Sequence, residues 1–585
     1  MILQKLSMIN KEIWEKYERW EKAFEHDTNA IDELTELAKN PNELFDRFHC
    51  ELSFGTGGIR GHMELGSNRM NVIVVRRLAQ GIANYIQSQK YEPTVVIAYD
   101  TRRNSLTFAK SIAEVMVANN VKVVFFNEPV PTPLLSYATR ILDTSFGFMI
   151  TASHNPAIDN GVKVYNSTGC QLLPDEADII TQEFIRCDPF NDVKKTDYDE
   201  IINTTAFSFV SEEIVKQFIN IATSNTLFAS CEALSSLRMV YTPLNGTGRD
   251  FILNCLSKLG IDTITVPLQM PQDGEFATCP KPNPEEKETW KEALYVAEEN
   301  DAQLVIATDP DCDRIGVAER MKDGTIYYFT GNEIGILLLD ELLSYYLELG
   351  KLHSNPIIIK TIVTTPMTYE IAKDYNADVI DVLNGFKFIA GQIEQLEKKG
   401  QLERFVLGFE ESMGYLANTY VRDKDAVSIC VLIACLAARL YNEDSSLFMQ
   451  IEALRKKYGY YISQLISYEY SSGNGKKRVE DLMSSLYELN NLQFKENKLK
   501  FHANYRDSIK TNLETQEKSV INLPKADIVT LTFESNSEIT FRISGTESKI
   551  KMFLSTIGNS EIEANLEMDM CKQLVHTLLQ QYNII

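Results

Sequence analysis

Residues 304–314 read Leu-Val-Ile-Ala-Thr-Asp-Pro-Asp-Cys-Asp-Arg, a short apolar run rich in β-formers that ends in a polar loop. The run Leu304–Ala307 has the length and composition of a buried strand. The same plan recurs along the chain: a strand, a polar Gly/Asp/Ser loop, then a helix or another strand. Thr94–Tyr99, Val121–Phe126, Phe146–Ile150, Met239–Tyr241, Ile357–Lys360 and Phe405–Leu407 read as further strands. Amphipathic stretches such as Leu106–Ala118 and Arg249–Leu259 lie between them, and alternation of this kind predicts parallel α/β sheets.

The last part of the chain follows a different rule. Ile528–Glu534 alternates apolar and polar residues, turns at Ser535–Ser537 and alternates again through Ile539–Ile543, a β-hairpin in a smaller α+β domain. Ser471–Arg478 reads as a surface loop. At 585 residues the chain exceeds one core. Boundaries near 222, 328 and 455 divide it into 1–222, 223–328, 329–455 and 456–585.

Composition narrows the partners. With 44% apolar and 24% charged residues the chain is a soluble globular protein. Its formal charge of −23 repels nucleic-acid backbone and anionic membrane. An anionic substrate therefore needs a local cluster of Arg and Lys. The ten cysteines show no paired CxxC spacing and read as reduced thiols in a cytoplasmic protein. Trp14, Tyr17, Trp20 and Phe24 recur at helical spacing, which predicts an amphipathic helix packed on the body rather than a signal peptide. Ala426–Leu440 is apolar, but it falls short of the roughly 20 residues a membrane span requires and reads as a buried helix.

Four loops carry chemistry. Thr151-Ala152-Ser153-His154-Asn155-Pro156 follows the strand Phe146–Ile150, where open α/β sheets place their ligand crevice. Ser153 there is either an exposed, rigidly held nucleophile or a hydroxyl that caps a helix. Asp309, Asp311 and Asp313 alternate in one tight loop between two apolar strands. Such carboxylates repel one another without a cation, and oxygen-only ligands favour magnesium, manganese or calcium. An EF-hand is excluded, since its sixth and twelfth positions are Arg314 and Arg320. The other reading is an acidic surface turn.

Gly408–Tyr415 offers Glu410 and Ser412 for hydrogen bonds to vicinal sugar hydroxyls, although a plain loop also accounts for it. Arg542–Lys549 places cations and hydroxyls around Gly545, which is either a phosphate cradle or a solvated basic turn. Neither a P-loop nor a dinucleotide GxGxxG is present. Phe54–Gly61 projects Arg60 from a glycine-dense turn, and Val421–Asp425 offers Lys424 among charges; structural readings suffice for both.

In this order the loops resemble the α-D-phosphohexomutase family of phosphoglucomutases and phosphomannomutases. They are most similar to the branch of bacterial phosphoglucomutases and phosphopentomutase-like enzymes. The resemblance runs from about Phe54 to Phe553 and rests on FGTGGIRG, TASHNP, DPDCDR, GFEESMGY and SGTESKIK. It implies three similar α/β domains and a C-terminal α+β domain around a central cleft. The implied activity interconverts glucose 1-phosphate and glucose 6-phosphate, with Mg2+ as cofactor and glucose 1,6-bisphosphate as intermediate and activator.

By the same resemblance Ser153 is the phosphoserine, and it joins Asp309, Asp311 and Asp313 at the metal. Glu410 and Ser412 read the sugar, while Arg542, Ser544, Gly545, Thr546 and Lys549 grip the phosphate not being transferred. Arg60, His154, Lys163, Arg314, Lys387 and Lys424 line the site, with Lys424, Lys163 and His154 as alternative proton carriers. The implied partner is a small sugar phosphate, and the implied state a monomer.

Four residues depart from the family pattern: Cys312 for a small residue, Asn384 for Thr and Phe388 for Trp in the Asn384–Phe388 loop, and Ser548 for Pro. The loop and Ser548 touch sugar preference. The competing activities are phosphomannomutase, phosphopentomutase and glucose-1,6-bisphosphate synthase. A non-catalytic sugar-phosphate binder or a hydrolase would be rivals of another class.

Overall fold

The computed structural model describes residues 2–54, 57–89, 93–224, 231–470, 474–489, 498–544 and 549–585. The chain forms two compact units. One takes the chain up to Tyr328 together with Ile393–Gln395 and Gly414–Arg439; the other takes Phe329–Gln392, Leu396–Met413 and Leu440–Ile585.

In the first unit Thr94–Tyr99 lies at the centre of a six-stranded sheet, flanked in parallel by Phe146–Ile150 and Lys122–Phe125. Val95, Val96, Ile97 and Ala98 are all fully buried, as a strand covered on both faces requires. Beyond Phe146–Ile150 the chain does not cross over through a helix. It turns back as Asp159–Asn166, and Gly58–His62 pairs antiparallel with that strand at the edge. The second sheet repeats the device. Leu304–Thr308 is parallel to Arg238–Thr242, then returns directly as Ile315–Arg320, which pairs with it antiparallel and with Ile326–Tyr328 on its other side.

The expectation of parallel sheets therefore holds for their centres and is corrected at their edges. Ser153 and the three aspartates sit on hairpin returns, in keeping with the reading of the aspartate loop as lying between two apolar strands. The reason is local. Val162, Val164 and Tyr165, and likewise Ile315–Ala318, continue as buried strand residues directly after each polar turn, so no helix intervenes.

The N-terminal helix spans Ile2–Ala23. Tyr17 and Trp20 are buried, and Trp20 meets Phe48 and Phe190 edge to face; Phe24 is half-buried, and Trp14 faces outward. Ala426–Asn442 is a helix buried along nearly its whole length. No single described helix is long and apolar enough to cross a membrane. Nine of the ten cysteines have described side chains, and these nine are free.

The second unit carries Asp378–Val382, Ile357–Thr361 and Phe405–Glu410 as parallel neighbours. The helix Gly331–Glu348 opens with a capping box between Thr330 and Glu333 and packs on them, its Gly335 lying against the Phe409 ring. The unit also holds a seven-stranded sheet whose described neighbours pair antiparallel, among them Ile528–Phe533 and Glu538–Ile543, which form the expected hairpin. The helices Asn474–Glu488 and Glu561–Gln581 pack on that sheet.

One expectation is corrected here. Of Ser471–Arg478, the first three residues lie outside the described residues, and the remainder begins the helix Asn474–Glu488. Val479, Leu482, Met483 and Leu486 recur at helical spacing and are buried, while Lys476, Lys477 and Arg478 are the exposed first turn.

Close packing at the first hairpin gives a test. A Cβ on Gly161 would meet the Ile59 carbonyl oxygen at 2.6 Å and the Thr151 carbonyl oxygen at 2.7 Å, both backbone atoms with little room to yield. Gly161→Ala is expected to cost about 2 kcal/mol, within the overpacking range, read from urea unfolding. An unchanged midpoint would contradict this packing.

Candidate active site

The first hairpin return shapes the serine. Ser153 adopts a left-handed backbone, φ 53°, in the turn after Phe146–Ile150. Its N–H donates to Thr151 Oγ1 at 2.8 Å, and the residue is 3% exposed. The hydroxyl donates to Asp309 Oδ2 at 2.7 Å and lies 3.2 Å from His154 Nδ1. Burial, followed by the nearby Arg314 and Arg60 charges, holds the His154 imidazole well below its usual pKa. The sequence alone left open whether Ser153 was a helix cap; its hydroxyl in fact faces a carboxylate from the second sheet.

The second return shapes the aspartates. Asp309 Oδ1 accepts from the backbone N–H groups of Asp313 at 3.1 Å and Arg314 at 3.0 Å, closing the loop on itself. Cys312 takes the left-handed position, φ 54°, and donates its N–H to the Asp309 carbonyl. Its buried thiol is pushed well up in pKa, first by desolvation. Asp309, Asp311 and Asp313 are all buried, with ligand oxygens within 4.8 Å of one another.

Two lysines offset this charge. Lys163 Nζ lies 2.6 Å from Asp311 Oδ2 and 2.7 Å from Asp313 Oδ2. Lys424 Nζ lies 3.2 Å from Asp313 Oδ2 and 3.2 Å from Asp423 Oδ1. Burial and the charges of Asp311 and Asp313 hold the Asp309 carboxyl well above its usual range. At Asp313 burial pushes the same way, but Lys163 and Lys424 outweigh it and the carboxyl sits far below. Lys163 is itself raised, since Asp311 and Asp313 outweigh its burial.

Asp311 Oδ1 and Asp313 Oδ1 are buried without a hydrogen-bond partner. Three hard oxygen donors, two with an oxygen unanswered, fit a divalent cation of the magnesium class.

Arg60 and Arg314 frame the same unit. Arg60 is exposed on the edge strand and donates to Asn155 Oδ1 at 2.9 Å. Asn155 in turn donates to Asp159, which pairs with His62. Arg314 Nη1 donates to Glu285 at 3.3 Å.

Several contributors were not legible in the sequence. Thr132 donates its hydroxyl to Asp311 Oδ2 at 2.7 Å and its N–H to the Asp311 carbonyl at 2.9 Å. Asp423, which accepts from Tyr165 and Gln171, sets the far side of Lys424. Arg102 holds the serine loop by its carbonyls. The one signal was position: Arg102 and Thr132 both follow parallel strands of the first sheet, where crevice residues gather.

The remaining expected residues belong to the second unit. Glu410 ends the strand Phe405–Glu410 and is buried; Ser412 is half-buried in the turn, before Met413 at φ 61°. Lys387 is buried with its ammonium 5.3 Å from the Phe388 ring centre. Burial lowers the pKa of Arg542 against the pull of Glu411 and Glu410. The Ser544 N–H donates to the Lys549 carbonyl at 2.9 Å. Gly545 and Thr546 lie outside the described residues.

Cation binding is testable apart from turnover. Magnesium at about 100 times its dissociation constant should stabilise the protein by about 2.7 kcal/mol, seen as a rise in Tm. Asp311→Asn should remove most of that rise, and an equal shift in the variant would contradict the assignment.

Comparison with known proteins agrees with this geometry. The chain matches three successive profiles, phosphoglucomutase/phosphomannomutase alpha/beta/alpha domains I, II and III, over residues 51–189, 216–322 and 330–458. It is 36% identical to the phosphoglucomutase of Staphylococcus haemolyticus over 511 residues, 87% of this chain and 91% of that one. It is 34% identical to the phosphoglucomutase of Staphylococcus epidermidis over 520 residues, 88% and 92% of the two chains.

Among solved structures, a phosphoglucomutase/phosphomannomutase family protein from Burkholderia thailandensis aligns with TM-score 0.65 at 17% identity, covering 90% of this chain and 97% of that one. Parafusin from Paramecium, in its open form, aligns with TM-score 0.65 at 17% identity, covering 92% and 95%. The architecture is three α/β/α domains followed by a β-rich C-terminal domain. This chain therefore belongs to the α-D-phosphohexomutase family, whose enzymes are isomerases that transfer phosphate.

Proposed function

We propose that the protein is a cytoplasmic phosphoglucomutase that interconverts α-D-glucose 1-phosphate and glucose 6-phosphate through a phosphorylated Ser153 and glucose 1,6-bisphosphate. The observation that carries this reading is the 2.7 Å hydrogen bond from Ser153 Oγ to Asp309, inside a buried three-aspartate cluster that suits a cation. The relatives named phosphoglucomutase support the choice of glucose.

Phosphoryl transfer asks a protein mainly for positioning and charge neutralisation. Magnesium held by Asp309, Asp311, Asp313 and the phosphorylated serine would withdraw charge as the serine oxygen leaves. Around it, the Lys163 ammonium neutralises Asp311 and Asp313 and stands ready for phosphate oxygens. Arg60 and Arg314 add positive charge on the same unit, which answers the repulsion of a chain at −23. Of the three expected proton carriers, Lys163 is held as an ammonium by Asp311 and Asp313, which leaves Lys424 or His154 to take the proton of the attacking hydroxyl.

In the second unit, Glu410 and Ser412 would accept and donate to sugar hydroxyls, with Lys387 beside them. Arg542, Ser544, Gly545, Thr546 and Lys549 would grip the phosphate not being transferred. That loop must accept a 1-phosphate in one half-cycle and a 6-phosphate in the other. The domain divisions at 222, 328 and 455 follow the same reading.

The test is a coupled assay with magnesium, glucose 1-phosphate and a trace of glucose 1,6-bisphosphate, followed for glucose 6-phosphate. Wild type should turn over, and Ser153→Ala should lose at least about 10³-fold, as expected when a covalent step is removed. Its folding should stay intact. Substantial activity in Ser153→Ala would overturn the phosphoserine. Faster turnover of mannose or ribose phosphates would overturn the glucose assignment.

A further inference from the structure

The turn Asp100–Arg103 follows the central strand Thr94–Tyr99, and its Arg102 is 3% exposed with a side chain wholly inside. Its guanidinium is spent on the backbone of the serine loop. Nη2 donates to the Ser153 carbonyl at 2.6 Å and to the Asn155 carbonyl at 2.5 Å. Nη1 donates to the Pro156 carbonyl at 2.8 Å and to the Asp159 carbonyl at 3.2 Å. One side chain thus gathers carbonyls from both ends of the turn in which Ser153 is left-handed. A non-glycine residue holds that conformation only where its surroundings impose it.

The guanidinium is itself fixed. Asp100 Oδ2 lies 3.4 Å from Arg102 Nε, and Asp100 Oδ1 accepts from the Arg102 N–H at 2.9 Å and from Ser105 Oγ at 2.6 Å. On its other side the ring of Phe276, fully buried and left-handed at φ 48°, has its centre 4.9 Å from the guanidinium carbon. The Phe276 segment is seated against the same turn: a Cβ on Gly274 would meet the Arg103 nitrogen at 2.5 Å and the Thr101 oxygen at 2.8 Å. Phe276 arrives from the chain between Asp262–Thr265 and Leu304–Thr308, strands of the sheet that also presents Asp309.

We infer that Arg102 is the positioning residue for Ser153: clamped between Asp100 and Phe276, it fixes the loop carbonyls so that Ser153 Oγ points at Asp309. This rests on the reading of Ser153 as the phosphoryl carrier. Arg102 touches backbone rather than reacting atoms, so its loss should slow transfer without weakening capture of the sugar phosphate. Lysine cannot reproduce the fork, because its ammonium is a point donor where four carbonyls are spread over two nitrogens.

The test is Arg102→Lys in the full chain, with magnesium, glucose 1-phosphate and saturating glucose 1,6-bisphosphate. The variant should lose about 100-fold in kcat, the scale of a misplacement of about 1 Å, with KM within about 3-fold of wild type. Phe276→Leu leaves the charges paired and serves if Arg102→Lys does not fold; it should lower kcat about 5-fold at unchanged KM, consistent with partial loss of alignment. Wild-type kcat in a folded Arg102→Lys, or in Phe276→Leu where only that variant folds, would overturn the inference alone. A rise in KM with kcat unchanged would do the same. A wild-type protein that transfers no phosphate at all would overturn the proposed function and this inference with it.

Discussion

Three carboxylates held within 4.8 Å of one another, all out of water, are the constraint around which the first unit is arranged. Bringing such charges together in a low-dielectric interior is costly, and each must be matched by a cation or a hydrogen-bond donor. Lys163 and Lys424 meet Asp311 and Asp313 from two different segments, and Ser153 meets Asp309. Each partner then needs its own support: Asp423 for Lys424, Thr132 for Asp311, and Arg102 for the Ser153 loop. The arrangement ties segments far apart in the chain to one charge balance. The two oxygens that protein donors leave unanswered fit a divalent cation, which would complete that balance.

Both central loops are hairpin returns, and this bears on rigidity. A strand-to-helix loop is anchored on one side by a helix that can shift. Here each polar turn is pinned on both sides by paired, buried strands: Ile150 opposite Val162, and Thr308 opposite Ile315. Gly161, with two carbonyls at Cβ distance, shows how little slack remains. Positioning of this kind suits phosphoryl transfer, where placing charge matters more than supplying new covalent chemistry.

Much of this was legible in the sequence, for identifiable reasons. Runs such as Thr94–Tyr99 and Phe146–Ile150 are short, apolar and bounded by polar turns, so their strands match the structure closely. The aspartates are legible because alternate carboxylates between two apolar strands repel one another unless a cation answers them. Less legible was anything set by pairing across the chain. The edge strands run antiparallel because apolar segments follow the turns at once, a feature that periodicity alone does not orient. Asn474–Arg478 looked like a loop because its charges dominate locally, whereas the buried positions that make it helical begin at Val479. Thr132, Asp423 and Arg102 are ordinary residues in sequence; their roles arise only when distant turns meet.

The central claim is that Ser153 carries the phosphate, and the most direct measurement is to find it there. Protein incubated with magnesium and glucose 1,6-bisphosphate would be digested and its phosphopeptides mapped by mass spectrometry. The account predicts one phosphate, on Ser153, discharged when unphosphorylated enzyme is regenerated by excess glucose 6-phosphate. A phosphate on another residue, or full turnover with Ser153 never modified, would contradict it.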